Sequence, residues 1–317
     1  MLPNPTPGPH TSKVAPANRV RPWLVATAAV AVASVVAYAR DTPNALWIAL
    51  VPLAYTVPIF VWLDRLEPEP LAMRWNAFLW GAGMSVLVAS FVNEVFAAVF
   101  GLVAAAVISA PIVEELMKVR GISYAAKREQ IDSPLDGAVY AGYVGLGFAA
   151  VENVIYFSNA VSEDALGLTF VVRGLLSPLA HPFFCAWAGL AIGRAVAAGR
   201  SRRLAVLRGL LVGIPLHASW NLAASVPALA FLLLGHVVVF FVLVRRLRRL
   251  RRDEIAMIRR RLNRLAFAHN LSPVELETYG DVRATKRFRR ALSRDERRAF
   301  DARRTSITKL ATRLADD

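Results

Sequence analysis

Residues 138–159, AVYAGYVGLGFAAVENVIYFSN, decide the fold class of this chain, because they contain one charged residue, Glu152. A run of about 20 apolar residues is long enough to cross the hydrocarbon core of a bilayer as an α-helix. The same criterion predicts further spans at residues 23–39, 45–63, about 75–92, within 95–126, 170–198, 204–224 and 226–244. The sequence therefore predicts an all-α fold, a polytopic membrane helical bundle of about eight transmembrane helices.

The composition agrees with a membrane location. Of the 317 residues, 56% are hydrophobic and 19% are charged, and the mean hydropathy is +0.43. Soluble domains have about 45–50% apolar and about 25% charged residues, so a soluble fold is excluded. Because Cys185 is the single cysteine, an internal disulfide and a thiolate zinc cluster are excluded as well, and we interpret it as a packing residue.

Hydropathy and charge divide the chain into three regions. Residues 1–22 are Pro-rich and polar and are expected to form a disordered cytoplasmic leader, residues 23–244 form the eight-span membrane domain, and residues 245–317 form a basic cytoplasmic helical tail. The tail has 22 Lys/Arg against 10 Asp/Glu, a charge of +12 within a net charge of +15. Such a tail is typical of contact with anionic lipid, and without an RNA-binding motif or finger spacing we expect no nucleic-acid partner. Ser293 and Glu296 predict a capping box in this tail.

The distribution of basic residues predicts the orientation, because cytoplasmic loops carry an excess of Lys and Arg. Eight spans place both termini on the side that holds most of them, whereas the opposite side holds only Arg40 and Arg173. We therefore expect both termini in the cytoplasm. An alternative, in which residues 23–39 are a signal peptide cleaved after Ala39, is disfavoured by the long leader and the later spans.

Ionisable residues within the predicted spans are the candidate functional residues, because each costs about 2.5–3.5 kcal/mol to insert and usually faces a cavity. They are Glu114, Glu115, Lys118, Glu152, His181, His217 and His236. A single membrane histidine more often makes a structural hydrogen bond than binds a ligand. The concentration of carboxylates and imidazoles on consecutive spans indicates a shared site.

The fourth span carries two adjacent glutamates and a lysine. Lys118 follows Glu115 by three residues and Glu114 by four, so an intrahelical ion pair with either glutamate is expected. Consecutive helical residues point about 100° apart, so one glutamate can face a cavity while the other pairs with Lys118. A solvated cap at a helix end is the alternative interpretation.

His181 and His217, together with one of the three glutamates, are candidate metal ligands. One carboxylate and two imidazoles, with an open position for water, are a sufficient ligand set for a catalytic zinc ion. Asn221 follows His217 by four residues and lies on the same helical face, beside whatever His217 contacts. A structural hydrogen bond is the alternative role for Glu152.

The same residues, taken in order, resemble the PrsW family of intramembrane proteases. The resemblance rests on Glu114-Glu115-x-x-Lys118, Phe148-x-x-x-Glu152-Asn153, His181, His217-x-x-x-Asn221, Asp64-Arg65-Leu66-Glu67-Pro68-Glu69-Pro70 and Asp136-Gly137-Ala138-Val139-Tyr140. It covers residues 57–224 and leaves out the leader and the tail. The related CAAX prenyl proteases and bacteriocin-processing enzymes have Arg in place of Lys118 and His in place of Glu152, which favours the PrsW branch.

The resemblance implies hydrolysis of a peptide bond in a single-span membrane protein, such as an anti-sigma factor, at the bacterial cytoplasmic membrane. Glu114 or Glu115 would be the general base, with a slight preference for Glu114, and Lys118 would pair with a glutamate. Glu152, His181 and His217 would hold zinc, or else would bind water and the oxyanion directly. Asn221 would donate to the oxyanion or support a ligand.

This arrangement makes a geometric demand on the fourth span. The predicted boundaries place Glu114 toward the cytoplasmic end of its span, whereas Glu152, His181 and His217 lie toward the outer half. Convergence requires the fourth span to begin near Leu102 and to extend toward Lys127. Two other functions fit the same residues: an ion-coupled carrier, which requires a substrate path, and a non-enzymatic scaffold, in which they serve stability alone.

Overall fold

The computed structural model describes residues 19–65 and 68–313, and the regular elements within these ranges are all helical. The helices are α1 (Pro22–Tyr38), α2 (Asn44–Leu63), α3 (Leu71–Phe100), α4 (102–127), α5 (Pro134–Ser162), α6 (166–176), α7 (Ala180–Ala197), α8 (Arg202–Ser225), α9 (Leu232–Ala268), α10 (Pro273–Tyr279), α11 (Val282–Ala291) and α12 (Arg294–Arg313). The predicted all-α class is confirmed. Residues 1–18 of the predicted leader lie outside the described residues.

Several helices are long and apolar enough to cross a membrane. Four segments meet this criterion in the described ranges: α2, α3, α5 and Leu166–Ala197, which joins α6 and α7. They correspond to the second, third, fifth and sixth predicted spans, and α1 is a shorter apolar helix of 17 residues. The chain is therefore a helical membrane protein with several membrane-spanning helices.

The boundary between α3 and α4 differs from the predicted one. Residues 95–100 belong to α3 and not to the fourth helix. Gly101 ends α3 with φ of 85°, in the left-handed region that favours glycine. The helix then restarts at Leu102 and continues to Lys127, through a π-helical turn at Ala105–Ser109. A fourth span from Leu102 to Lys127 is what the sequence analysis required for Glu114 to lie near Glu152, His181 and His217.

Helix α5 lies at the centre of the bundle. In an 18-residue apolar stretch of α5, 83% of the residues are buried, against 22% in α3. Glycines allow neighbouring backbones to approach it closely: a Cβ on Gly137 would overlap the Gly189 carbonyl of α7, and one on Gly147 would overlap the Phe78 carbonyl of α3. Small residues therefore determine how closely the helices pack around α5.

The sixth and eighth predicted spans also differ in detail. Helix α6 ends in a π-helical turn, Phe170–Leu176, and residues 177–179 are non-helical before α7 begins at Ala180. Helix α9 begins at Leu232, after a 3₁₀ turn at Pro227–Leu229, and continues without a break to Ala268. The expected division between membrane domain and tail, at residue 245, thus falls inside a continuous helix.

The end of α9 packs with α10, α11 and α12 into a small helical unit. Its core contains Leu262, Tyr279 and Phe300. The predicted capping box is present, since the Ser293 N–H donates to Glu296 at 2.8 Å and the Glu296 N–H donates to the Ser293 Oγ at 3.4 Å.

This helical unit contacts the membrane domain between α2 and α3. A guanidinium N–H of Arg304 donates to the backbone carbonyl of Arg65 at 3.4 Å. Leu66 and Glu67, which belong to the motif in this segment, lie outside the described residues.

Candidate active site

Four helices bring the ionisable residues of the predicted site together inside the bundle. The Glu/His cluster consists of Glu114, Glu115 and Lys118 on α4, Glu152 on α5, His181 on α7 and His217 on α8. Lys118 is fully buried, and the two α4 glutamates and the two histidines are at most 6% exposed. These charges are therefore removed from water and are stabilised by one another.

The π-helical turn in α4 positions the glutamates. Ala106 lies in this turn, and Pro111, five residues later, has no N–H to donate to its carbonyl. The side chain of Asn221 donates from Nδ2 to that carbonyl at 2.8 Å. Asn221, predicted as an oxyanion donor or a support for a ligand, thus fixes α4 against α8.

Lys118 contacts both glutamates of α4. Its Nζ donates to Oε1 of Glu115 at 2.8 Å and to Oε2 of Glu114 at 3.2 Å, and it lies 2.9 Å from Nδ1 of His181. It also lies 4.3 Å from the ring centroid of Phe148. The sequence left open which glutamate pairs with Lys118, and the structure shows that both do.

Each histidine is held by a carboxylate on one ring nitrogen and faces Glu114 with the other. His181 has Nε2 2.8 Å from Oε2 of Glu152 and Nδ1 3.8 Å from Oε2 of Glu114. His217 has Nδ1 3.0 Å from Oε1 of Glu115 and Nε2 3.8 Å from the same Glu114 oxygen. Phe184 stacks on the His217 ring at 4.7 Å between centroids. The two imidazoles therefore converge on one oxygen.

Glu152 is paired with an arginine that the sequence interpretation did not place in the site. Arg173 donates to Oε2 of Glu152 at 2.6 Å, and its guanidinium carbon lies 3.1 Å from the ring centroid of Tyr156. Arg173 was assigned only to the outer basic residues. The sequence signal for Arg173 is that it is the one charged residue in the apolar segment 170–176, because a charge at membrane depth needs a partner.

The geometry of the cluster fits a metal ion. One ligand atom each from Glu114, His181 and His217 lies within 4.8 Å of the others. A carboxylate and two imidazoles are a catalytic zinc set, and zinc-binding histidines commonly donate their second nitrogen to a carboxylate, the position that Glu152 and Glu115 occupy here. The sequence placed Glu152 among the ligands, whereas the structure places Glu114 between the imidazoles. The Lys118 ammonium already contacts Nδ1 of His181, at 2.9 Å, so a metal ion bound to that nitrogen would compete with Lys118.

A small cavity borders the cluster. It has a volume of about 20 Å³ and is lined by Glu152, His181, His217 and Asn221 among others. A polar cavity of this size holds about one water molecule. Ser177, Pro178, Ala180 and Trp220 line both this cavity and an apolar groove of about 450 Å³ that continues to Val237 and Phe240. The non-helical segment 177–179 thus lies between the groove and the cluster.

Two other predicted residues have structural roles in the described fold. Cys185 is buried, and its thiol lies 3.0 Å from the His181 carbonyl and 3.2 Å from the Ala141 carbonyl, which agrees with a packing role. His236 has ring nitrogens 2.8 Å and 3.0 Å from the carbonyls of Leu216 and Leu232. Either carbonyl can accept the N–H of a neutral His236, which lies outside the cluster.

The structure is a bundle of membrane-spanning helices that holds a buried Glu/His cluster beside a water-sized cavity, and so defines a helical membrane protein with a buried polar site. Residues 69–246 match the family described as "PrsW family intramembrane metalloprotease". The chain belongs to the PrsW family, in agreement with the resemblance of its motifs.

Individual relatives agree with this assignment. The chain is 33% identical over 170 residues to "Protease PrsW" of Geobacillus kaustophilus, an alignment that covers 51% of this chain and 72% of the relative. It is 29% identical over 179 residues to "Protease PrsW" of Clostridioides difficile, covering 52% of this chain and 75% of the relative. A comparison with solved structures gave no match.

Proposed function

We propose that this chain is an intramembrane endopeptidase that hydrolyses a peptide bond of a single-span membrane protein at the Glu/His cluster. The observation that carries the proposal is the convergence of Nδ1 of His181 and Nε2 of His217 on one oxygen of Glu114, at 3.8 Å each, deep inside the bundle. Membership in the PrsW family supports it.

In this proposal, water forms the new bond to the carbonyl carbon, the C–N bond breaks, and a proton from water ends on the leaving amine. Glu114 takes up and returns that proton, because its Oε2 faces both imidazoles, whereas Glu115 is held by Lys118 and His217. In the metal-free version, the histidines held by Glu152 and Glu115 stabilise negative charge on the carbonyl oxygen as imidazolium ions, because a neutral ring that donates its N–H to a carboxylate presents only a lone pair to the site. The remaining N–H of Asn221 is available to do the same.

Glu114, His181 and His217 are the residues that would hold a zinc ion, and Glu114 would then be a ligand and not the free general base. A zinc ion bound there would lower the pKa of water and polarise the substrate carbonyl. The alternative is glutamate-dependent hydrolysis by the same residues without a metal. Elemental analysis of the purified protein, with chelation and zinc add-back, distinguishes them, since full activity without bound metal discards the zinc version.

The apolar groove supports a substrate that arrives from the lipid. The groove and the cavity share Ser177, Pro178, Ala180 and Trp220 as wall residues, so a peptide segment that leaves a substrate helix and lies in the groove would be separated from the cluster by the non-helical segment 177–179. An anti-sigma-factor-like protein has the required single span. The ion-coupled carrier has no comparable support, because the cavity next to the cluster is only about 20 Å³.

We also propose that the chain has eight spans, with both termini in the cytoplasm and the basic tail against anionic lipid. α1, α4, α8 and the apolar first part of α9 would be the additional spans. The +12 charge of residues 245–317 supports the lipid contact, at about 1 kcal/mol per basic residue near the surface.

The proposed activity is tested by comparing the membrane proteomes of cells that express the wild type or Glu114→Gln. We expect new N-termini in at least one single-span protein with the wild type and not with the variant. Glu94→Gln is the matched control, because Glu94 is an exposed glutamate of α3 outside the cluster. Identical sets of termini for the wild type and Glu114→Gln would contradict the proposal.

A further inference from the structure

A groove of about 530 Å³ lies between α7, α8 and the middle of α9, away from the Glu/His cluster. Four arginines line it, and we refer to it as the arginine groove: Arg194, Arg200, Arg208 and Arg246. Apolar residues, including Leu204 and Val212, form most of the remaining lining. The groove therefore combines strong positive charge with an apolar lining.

The charge of the groove is not balanced by the protein. Among the described residues, no carboxylate lies within 4.0 Å of any of these four guanidinium groups. Arg194 and Arg246 come from different helices and are close enough to repel each other. Like charges brought together by the fold are stabilised by an anion between them.

Two neutral donors are also left without partners in the groove. Nε1 of Trp187, which lines it, is buried and has no hydrogen-bond partner. Ser201 is the N-cap of the 24-residue helix α8, but its side chain makes no capping bond. The first N–H groups of a helix point outward along its axis and favour a bound phosphate. Both residues line the same groove as the four arginines.

We propose that the arginine groove binds the phosphate of an anionic phospholipid. Arg208 lies six residues into α8, about 9 Å from the helix start at 1.5 Å per residue, so the basic lining extends toward the hydrocarbon region. The headgroup phosphate lies between the arginines and the start of α8, and the acyl chains lie along Leu204 and Val212. This site is distinct from the proposed general contact of the tail with lipid, and it does not depend on the proposed proteolysis.

The test uses the full chain purified in a nonionic detergent, with the thermal unfolding midpoint measured as dioctanoyl phosphatidylglycerol is added. We expect a saturable rise for the wild type and a smaller one with dioctanoyl phosphatidylcholine. Arg208→Gln/Arg246→Gln, two exposed positions, should weaken the phosphatidylglycerol effect about tenfold, because two charge-assisted hydrogen bonds are lost. Arg245→Gln/Arg249→Gln is the matched control, since it removes the same charge from exposed residues of α9 that do not line the groove, and it should respond like the wild type.

Three results would overturn the proposal. Equal weakening in both double variants would mean that total charge, and not this groove, attracts the lipid. An equal rise with phosphatidylcholine would mean that no headgroup is selected. An equal rise with inorganic phosphate at the same concentration would assign the groove to a soluble anion instead of a lipid. If the groove variant fails to fold, Arg200→Gln alone, at an exposed position, is measured in the same way.

Discussion

Nε2 of His181 lies 2.8 Å from Oε2 of Glu152 on a different helix. This bond fixes the imidazole and turns Nδ1 toward Glu114 and Lys118. Arg173 in turn holds the same Glu152 oxygen at 2.6 Å. A row of contacts therefore runs from the π-helical end of α6 to the centre of the cluster, and it determines the direction in which His181 points.

The first prediction concerns this row. Arg173→Gln should lower turnover about tenfold, and also zinc affinity if zinc is bound, because removal of outer partners of a ligand costs about 10–100-fold. Turnover and metal content are measured together. Arg40→Gln is the control, since Arg40 is an exposed arginine with Asp41 as its ion-pair partner. Unchanged turnover in Arg173→Gln would show that His181 does not need this support.

The second prediction separates the two glutamates of α4. Glu114→Gln should reduce turnover by about a hundredfold or more, because it keeps the shape and removes the base, and it should lower the unfolding midpoint less than Glu115→Gln, because its contact with Lys118 is the longer one at 3.2 Å. Glu115→Gln should also lower the unfolding midpoint, because Glu115 makes the shorter contact with Lys118 and holds His217. Breaking a buried ion pair costs about 3–5 kcal/mol. Activity and thermal unfolding are measured for both variants, and the reverse pattern would exchange the two roles.

The histidines belong to the same prediction of chemistry. His181→Ala and His217→Ala should each abolish or sharply reduce cleavage while the protein remains folded, as measured by turnover and by circular dichroism. Wild-type turnover in both variants would discard the site as proposed and would favour the carrier interpretation.

The third prediction concerns the packing of α5. Gly137→Ala should destabilise the protein by about 1–3 kcal/mol, because the added Cβ meets the Gly189 backbone and cannot be accommodated by a side-chain movement. Gly167→Ala introduces the same methyl group where no atom lies within 4 Å and should be neutral or slightly stabilising. Denaturation of both variants in detergent checks the difference, and equal stabilities would show that α5 and α7 can separate at little cost.

The fourth prediction concerns Glu275 in the helical unit formed by the end of α9 with α10, α11 and α12. Burial raises the pKa of Glu275, but hydrogen bonds from the Ser272 N–H and the Arg303 guanidinium outweigh this effect and lower the pKa to about 2. A lowered carboxyl pKa stabilises the fold above the ordinary value near 4.5, and this contribution is lost as pH falls toward 2. Glu275→Gln should therefore speed hydrogen exchange of residues 273–303 in the full chain at pH 7. The difference from the wild type should narrow between pH 5 and pH 3. A constant difference would mean that the contacts of Glu275 do not depend on its charge.

The fifth prediction concerns topology. Reporter fusions after Arg203 and at the C-terminus should report a cytoplasmic location, and a fusion after Arg40 should report an external one, because basic residues are concentrated in the other loops. External signals from the first two fusions would reverse the orientation.

A related prediction concerns the basic tail, which we expect to bind lipid and to be dispensable for the chemistry. Truncation after Arg252, which keeps the basic residues beside the membrane, should preserve turnover and reduce binding to anionic vesicles, because half of the net charge of the tail, +6 of +12, is removed. Loss of turnover in a truncated chain that remains folded would show that the tail participates in the chemistry.

The sequence by itself determined the membrane class and the residues of the cluster. Uninterrupted apolar runs predict membrane-spanning helices from their length and hydropathy alone. A charged residue such as Glu152 within such a run is recognised as a functional candidate because its insertion into the membrane is energetically costly. Where the local signal is weaker, at residues 95–101, the sequence places the fourth span only within residues 95–126, and the structure places its start at Leu102. The restart of α4 after Gly101 depends on a single residue with positive φ.

Only the tertiary structure decided how the cluster residues are arranged. Sequence spacing relates Glu114, Glu115 and Lys118 within one helix, but it carries no information on which oxygen faces His181 or His217 from other helices. That depends on the π-helical turn at Ala105–Ser109, on the rotation of α4 fixed by Asn221, and on close contact between α5 and α7. Glu114, and not the expected Glu152, lies between the two imidazoles, and Arg173 pairs with Glu152. Both contacts follow from helix packing, which brings together segments that are far apart in the chain.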